Sequence, residues 1–307
     1  MKTIIINARE EDAAKRADVY LSEELTDFSR SFLKKIFDGG DVLVNGTPVK
    51  ASYRIRPEDE IKAFIPDHVL PDILPENIPL DILYEDEDIL VVNKPKDMVV
   101  HPAAGHFSGT LVNAVMYHCR DSLSGINGVL RPGIVHRIDK DTTGSLVICK
   151  NDDAHRSLAE QFAVHSITRK YRAVIFGRLP EEEMTVDRPI GRSRNDRKKM
   201  SIDSPYGKRA VTHIHVLSEN SDYSYVECTL ETGRTHQIRV HLASIGHPVA
   251  GDEVYGPKKN RFSGLLSGQA LHAFLLGFNH PRTGEYMEFT APLPDYFERL
   301  LVLCKLD

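Results

Sequence analysis

The sequence predicts an α+β chain in two units: a small N-terminal one of two helices on a β-hairpin layer, and a larger one with a mixed, largely antiparallel sheet and helices against it. Three observations carry this. Strands outnumber helices and many follow one another directly, which argues against a doubly wound sheet. Residues 66–80, PDHVLPDILPENIPL, hold four prolines and no helical period, so they read as an extended linker. A length of 307 residues suits two domains of about 150 residues each. The expected division is therefore 1–65, a proline-rich linker at 66–80, and 81–307.

In the first unit, Arg16 to Asp38 reads as helical. Ser29 is the expected N-cap of a helix with Phe32, Leu33 and Ile36 on one face, ending at Gly39-Gly40. Val42 and Val44 alternate into Asn45-Gly46, a strong hairpin turn. In the second unit, the unbroken apolar run Ile89 to Val92 predicts a buried strand, and Thr110 to about Cys119 predicts a helix. GSLVICK predicts another strand, and Asn151 caps a helix with Ala154, Leu158 and Phe162 on one stripe. Strands KYRAVIF, AVTHIHVL and YSYVECTLE follow, then a helix THQIRVHLASI, a β pair around Asn279–Gly284 and a short C-terminal helix.

Composition excludes several classes. Hydrophobic residues are 41% and charged residues 27%, which is ordinary globular usage. No apolar run approaches the ~18 residues that span a bilayer, and MKTIIINAREED turns charged too early for a secretory signal, so a cytoplasmic protein is expected. The four cysteines, Cys119, Cys149, Cys228 and Cys304, form no C-x-x-C pair and read as buried thiols. A net charge of −5 argues mildly against nucleic acid, but the charge is segregated: residues 66–98 hold nine acids and two bases, residues 192–209 seven bases and two acids.

Four segments can carry chemistry. Residues 132–151, PGIVHRIDKDTTGSLVICKN, set His136, Arg137, Asp139, Lys140, Asp141, Thr142 and Thr143 between two apolar strands. That is either an active-site loop on a rigid sheet or a plain polar connection. Residues 231–242, ETGRTHQIRVHL, start a helix at Arg234 or Thr235, with Thr235 and Arg239 on one face. Its density of Arg and His favours an anion partner over a merely solvated face. Tyr171 lies among Arg169, Lys170 and Arg172, where a strand tyrosine is usually packing. GRSRNDRKKM, 191–200, is a basic loop suited to phosphates. His213 and His215 share a strand face, but no carboxylate lies at ligand spacing, so no metal is expected.

His136-Arg137-Ile138-Asp139 followed by Thr142-Thr143-Gly144 resembles the H-R-L-D-x-x-T-S-G signature of the RluA/RluD family of pseudouridine synthases, with Ile and Thr in place of the usual Leu and Ser. YEDEDILVVNKPKDMVVHP at 84–102, GTLVNAV at 109–115, Lys170-Tyr171, GRTHQIRVH at 233–241 and the late LHA and APLP segments continue it in order. RADVYL, SRSFLKKI and GDVLVNG resemble an S4 RNA-binding domain. The resemblance implies a pseudouridine synthase fold behind an S4-type domain, and RNA, most of all 23S large-subunit ribosomal RNA or its precursor, as partner. It also implies Asp139 as the essential carboxylate, Tyr171 as an aromatic wall that can take the C5 proton, and Arg239 as the partner of the aspartate. Arg137 then fills the gap left by a flipped nucleotide, and His136, Arg234 and Thr143 are the further substrate-binding candidates.

The chemistry is consistent with this set. Pseudouridylation cuts the N1–C1′ bond, turns the base and rejoins it through C5 without water, so no second carboxylate is needed. No step calls for a metal, redox or nucleotide cofactor, and a monomer is expected. A non-catalytic RNA-binding assembly factor, a nucleoside or glycoside hydrolase and a transfer-RNA-directed synthase are the competing readings.

Overall fold

The computed structural model describes residues 2–25, 28, 30–65, 73–102, 108–120, 122–126, 131–194, 196, 199–258, 262 and 266–306. They divide into two compact units, Met1–Asp72 and Ile73–Asp307.

The first unit comprises β1 (Lys2–Asn7), α1 (Ala17–Glu24), α2 (Arg30–Asp38), β2 (Val42–Val44), β3 (Thr47–Pro48) and β4 (Glu60–Ile65), with the sheet ordered β1-β4-β2-β3. Asn45 and Gly46 both have positive φ, as a type I′ turn requires. Tyr20, Leu21, Leu33, Ile36, Val42 and Ile61 are buried as one core. The terminator of α2 is as expected: Gly40 is left-handed and Asp41 N–H donates to the Ile36 carbonyl. The expected cap at Ser29 lies outside the described residues. Strand β1 was not expected. It pairs along all of β4, from Lys2↔Ile65 to Asn7↔Glu60. Three consecutive isoleucines conceal its period of two, in which Ile5 is exposed and Ile4 and Ile6 pack inward.

The second unit opens without helix or strand over 73–80, and Ile73 is already buried in its core. It continues with β5 (Ile82–Glu85), β6 (Ile89–Lys94), α3 (Leu111–Cys119), β7 (Thr143–Cys149), α4 (Asp152–Ala163), β8 (Thr168–Phe176), β9 (Glu183–Asp187), β10 (Gly191–Arg192), β11 (Met200–Ser201), β12 (Val211–Glu219), β13 (Tyr223–Leu230), α5 (Gln237–Ser244), β14 (Leu271–Asn279), β15 (Tyr286–Thr290) and α6 (Asp295–Cys304). One nine-stranded sheet runs β5-β6-β7-β14-β8-β13-β12-β9, with β15 also on β14. Every pairing in it is antiparallel except β7 with β14. The fold is thus the expected α+β arrangement with a mixed, largely antiparallel sheet.

Unbroken apolar runs mean a strand covered on both faces, and the cores bear this out. Leu90, Val92, Leu146 and Ile148 pack with α3, whereas Ile89, Val91, Val147 and Cys149 pack with α4. The N-caps Thr110 and Asn151 accept from Asn113 N–H and Ala154 N–H, which fixes both helices at their starts. Farther along the sheet, Ile238 and Leu242 of α5 and Phe297, Leu300 and Leu301 of α6 pack on β8 and β13. No helix among the described residues is long and apolar enough to cross a membrane. All four cysteines are buried, and none is in a disulfide.

Gly144, where β7 meets β14, has φ +111°, and a Cβ there would run into the Ala273 carbonyl. Gly144→Ala should therefore cost about 2–4 kcal/mol from backbone strain and overpacking. Thermal denaturation checks this; an unchanged melting midpoint would show that the close approach is dispensable.

Two expectations fail. The stretch 191–200 is not simply a loop, because Gly191↔Ser201 and Arg192↔Met200 close it into a short hairpin, and Met200 packs with Ile190, Val240 and Tyr255. Helix α5 does not start at Arg234 or Thr235. His236 is left-handed and the helix begins at Gln237, so Thr235 shares no helical face with Arg239. Gln237 imposes the turn: its Oε1 accepts from Arg234 N–H and the Thr232 hydroxyl, and its Nε2 donates to the Val211 carbonyl and Thr212 Oγ1.

Candidate active site

The loop entering β7, the middle of β8 and the first turns of α5 converge, with β14 between the two strands. They bring Asp139, Tyr171 and Arg239 to one hollow. Asp139 Oδ2 accepts from Arg239 Nη1 at 2.8 Å. Behind it, Arg239 Nε and Nη2 donate to the two oxygens of Asp252 at 2.7 and 2.9 Å. The guanidinium is thus held from two sides, and its third nitrogen alone reaches the open carboxylate. Asp252 is fully buried, while the Asp139 side chain is 18% exposed.

Burial alone would raise the Asp252 carboxyl. The Arg239 hydrogen bonds and charge and the N–H groups of Tyr255 and Val254 outweigh it, holding Asp252 below the usual carboxylate range. Burial likewise opposes the Arg239 charge, but Asp252 and Asp139 keep that guanidinium above its ordinary value. On the other side of Asp139, His236 Nε2 stands 3.8 Å from Oδ1. Its Nδ1 meets the Tyr255 hydroxyl at 2.8 Å, and that hydroxyl accepts from Met200 N–H of the basic hairpin. Burial lowers the His236 pKa; Asp139 opposes the shift and Arg239 adds to it.

Above these groups a cleft of about 470 Å³ opens, walled by Tyr171, Phe162, Arg169, Arg137, Gly233 and Arg234. That is within the ~300–1,000 Å³ of small-ligand pockets. Burial raises the Tyr171 phenol, Arg169 pulls it down and Asp139 pushes it up. Arg137 is exposed on the rim. Arg234 lines the wall with its Nε on the Arg209 carbonyl.

Two candidates sit differently. His136 lines the cleft, but its Nε2 accepts from Val147 N–H and its ring stacks on Phe162 at 4.7 Å. Burial and then Arg169 push its pKa down to about 3, so it is a neutral acceptor bracing the loop. Thr143 does not face the cleft: its buried hydroxyl meets His272 Nδ1 at 2.7 Å and Tyr296 at 3.3 Å.

Sequence reasoning missed Asp252, Tyr255 and Lys94. Lys94, fully buried at the end of β6, donates to the carbonyls of Pro95, Met98 and Lys140, which pins the loop just past Asp139. Burial brings its pKa down to about 7, against the opposing pull of Asp141 and Asp139. Lysine at the end of an apolar strand was the available signal. Among the described residues, the one group of three with metal-ligand character is Asp86, Asp88 and His280, which does not line the cleft. Its oxygens are taken up by Arg282, Asn151, Tyr84 and backbone N–H groups. His213 and His215 lie on β12, also outside the cleft, with His213 on Glu231 and Thr185.

The arrangement offers a carboxylate ion-paired on one oxygen, an aromatic wall and a cationic rim. Comparison with known proteins gives this a context. A model of the family described as RNA pseudouridylate synthase matches residues 88–244, and one of the S4 domain matches residues 15–61. The chain is 54% identical to an RNA pseudouridine synthase of Bacillus subtilis (strain 168), YlyB, over 98% of each chain. It is 48% identical to the ribosomal large subunit pseudouridine synthase D of Zymomonas mobilis, over 100% of this chain and 99% of that one. Among solved structures, human RNA pseudouridylate synthase domain containing 1 aligns with a TM-score of 0.59 at 30% identity, over 71% of this chain and 85% of that one.

Proposed function

The chain belongs to the RNA pseudouridylate synthase family, and on that premise we propose that it converts uridines of large-subunit ribosomal RNA to pseudouridine, with Asp139 as the reacting carboxylate. The observation that carries the site assignment is the Asp252–Arg239–Asp139 chain of hydrogen bonds ending at the cleft. The ribosomal target rests on the printed name of the Zymomonas mobilis relative.

A stacked uridine must be flipped out to react, at a cost of a few kcal/mol. We assign to Arg137, exposed on the rim of the cleft, the filling of the space that the nucleotide leaves. Tyr171 then offers a flat face to the base. Arg239 holds Asp139 against the sugar–base bond, and a fixed near-attack geometry lowers the barrier in its own right. Breaking N1–C1′ frees the base to turn and C5 bonds to C1′; C5 then gives up its proton while N1 takes one up, so the reaction is a net isomerisation. Tyr171, beside Asp139, is the group we assign to that face of the base.

Tyr171→Phe keeps the stacking surface and removes only the hydroxyl. We expect turnover to fall by about 10²-fold or more, the scale of a lost proton-transfer group, with RNA affinity unchanged. Single-turnover release of tritium from C5-labelled uridine measures it. Full activity in this variant would reduce Tyr171 to a wall.

The substrate assignment is tested by incubating the purified protein with unmodified large-subunit ribosomal RNA and with transfer RNA, then mapping pseudouridines in each. New sites in the ribosomal transcript are expected. Sites confined to transfer RNA would overturn the ribosomal reading while leaving the chemistry intact.

A further inference from the structure

Arg169 is a buried guanidinium that the proposed chemistry leaves unused. The basic residues of β8 alternate between the two faces of the sheet. Lys170 and Arg172 both pair with Glu227, at 3.1 and 3.0 Å. Arg169 shares the opposite face with Tyr171, is 7% exposed, and has no carboxylate in ion-pair reach among the described residues. Its Nη2 donates to the Glu231 carbonyl at 3.2 Å, and the guanidinium lies 5.7 Å from the Phe162 ring centre. Its Nε is sealed from solvent and donates to no acceptor among the described residues. Gly233 makes room for it: a Cβ there would come within 2.5 Å of Nη1.

A buried charge without a counter-ion is costly, and so is a buried donor without an acceptor. Burial accordingly pulls the Arg169 pKa below its ordinary value. Around it the cleft is cationic. Arg137 and Arg234 join Arg169 on the lining, and the one acid there among the described residues, Asp139, is already committed to Arg239. A neutral carbonyl would satisfy the free donor but not the charge; a phosphate would satisfy both, and the guanidinium fork matches its oxygens.

The geometry points to Arg169 as the group that grips a backbone phosphate of the nucleotide turned into the cleft, a role that rests on RNA being the substrate. Arg169 is then a positioning residue for the reaction. With its phosphate held two residues along β8 from Tyr171, the nucleotide can present its base to Tyr171 and its sugar to Asp139.

The test uses the full-length protein and a stem-loop transcript of large-subunit ribosomal RNA, with affinity measured at several salt concentrations. Losing one phosphate contact lowers the slope of log affinity against log salt by about 0.7. Arg169→Met should show that smaller slope and bind about tenfold or more weakly. Arg169→Lys keeps the charge and should keep the slope, and Asp139→Asn should keep it too. A wild-type slope in Arg169→Met would overturn the assignment. A second measurement leaves the protein untouched: an uncharged methylphosphonate is placed 5′ or 3′ of the modified uridine. One of the two positions should reproduce the slope loss with wild-type protein; full slopes at both would overturn the assignment. If the wild type formed no pseudouridine, the proposed reaction would fall while these slopes still decided the phosphate contact.

Discussion

Asp139→Asn should lower pseudouridine formation by about 10⁴-fold or more, the scale on which a group that bonds to or deprotonates substrate is missed, while the protein folds as before. The substitution is isosteric and removes charge from one side of Arg239 only. The two hydrogen bonds from Arg239 to Asp252 remain, at 2.7 and 2.9 Å, so the guanidinium stays seated. The stability cost is that of one charge-assisted hydrogen bond at a partly exposed site, about 1–2 kcal/mol at most. Among the described residues no other acid lines the cleft. Asp252 is fully buried and both its oxygens are occupied. Product formation measured beside a melting curve separates lost chemistry from lost fold, and an active variant would remove Asp139 from the mechanism.

Asp252→Asn should act through the fold as well as the chemistry. Arg239 keeps Asp139 as a counter-ion, so the cost stays below that of an uncompensated buried charge and is that of a lost charge-assisted hydrogen bond, about 1.5–3 kcal/mol. In a unit of this size that lowers the melting midpoint by roughly 3–12 °C. Asparagine keeps one acceptor oxygen for the Val254 and Tyr255 N–H groups, but its amide nitrogen cannot accept from Arg239 Nε, so the charge and one hydrogen bond are lost together. Activity should fall too, because Arg239 loses the anchor that aims it at Asp139. The pH dependence follows from the depressed Asp252 carboxyl. A carboxyl whose folded pKa lies below its unfolded one stabilises fully above the unfolded value, near 4. That contribution is lost as pH falls through the lower folded value. The gap between wild type and variant should therefore be constant from pH 7 to pH 5 and close only below about pH 4. A gap that persisted undiminished at pH 2 would mean that something other than the carboxylate charge sets it.

What could be read in advance follows from how local each signal is. The strand that ends at Cys149 and the helix capped by Asn151 are written in contiguous apolar runs and a cap, and both formed as expected. The family was legible because its motifs recur in order along the chain, and Asp139, Tyr171 and Arg239 do line one hollow. Asp252 carries no such signal: it lies 13 residues past Arg239 and becomes a partner only when the chain folds back. Lys94 reads as a polar strand end, and only three converging carbonyls give it a reason to be buried. Arg169 looks like one member of a basic run until the period of the strand separates it from Lys170 and Arg172. The misplaced start of α5 has a similar origin, since the bonds that turn the chain at His236 come from Gln237 reaching to Val211 and Thr212, far away in sequence. Thr143 belongs to the motif that carries the family resemblance, but β7 places it against His272.

Pseudouridine formation in large-subunit ribosomal RNA through Asp139 is the proposed activity. Its most direct test is a map of pseudouridines in that RNA from cells lacking the protein, complemented either with the wild type or with Asp139→Asn. Specific uridines should be unmodified in the deleted strain, restored by the wild type and left unmodified by the variant. Full restoration by Asp139→Asn, or a map unchanged by deletion, would contradict the account.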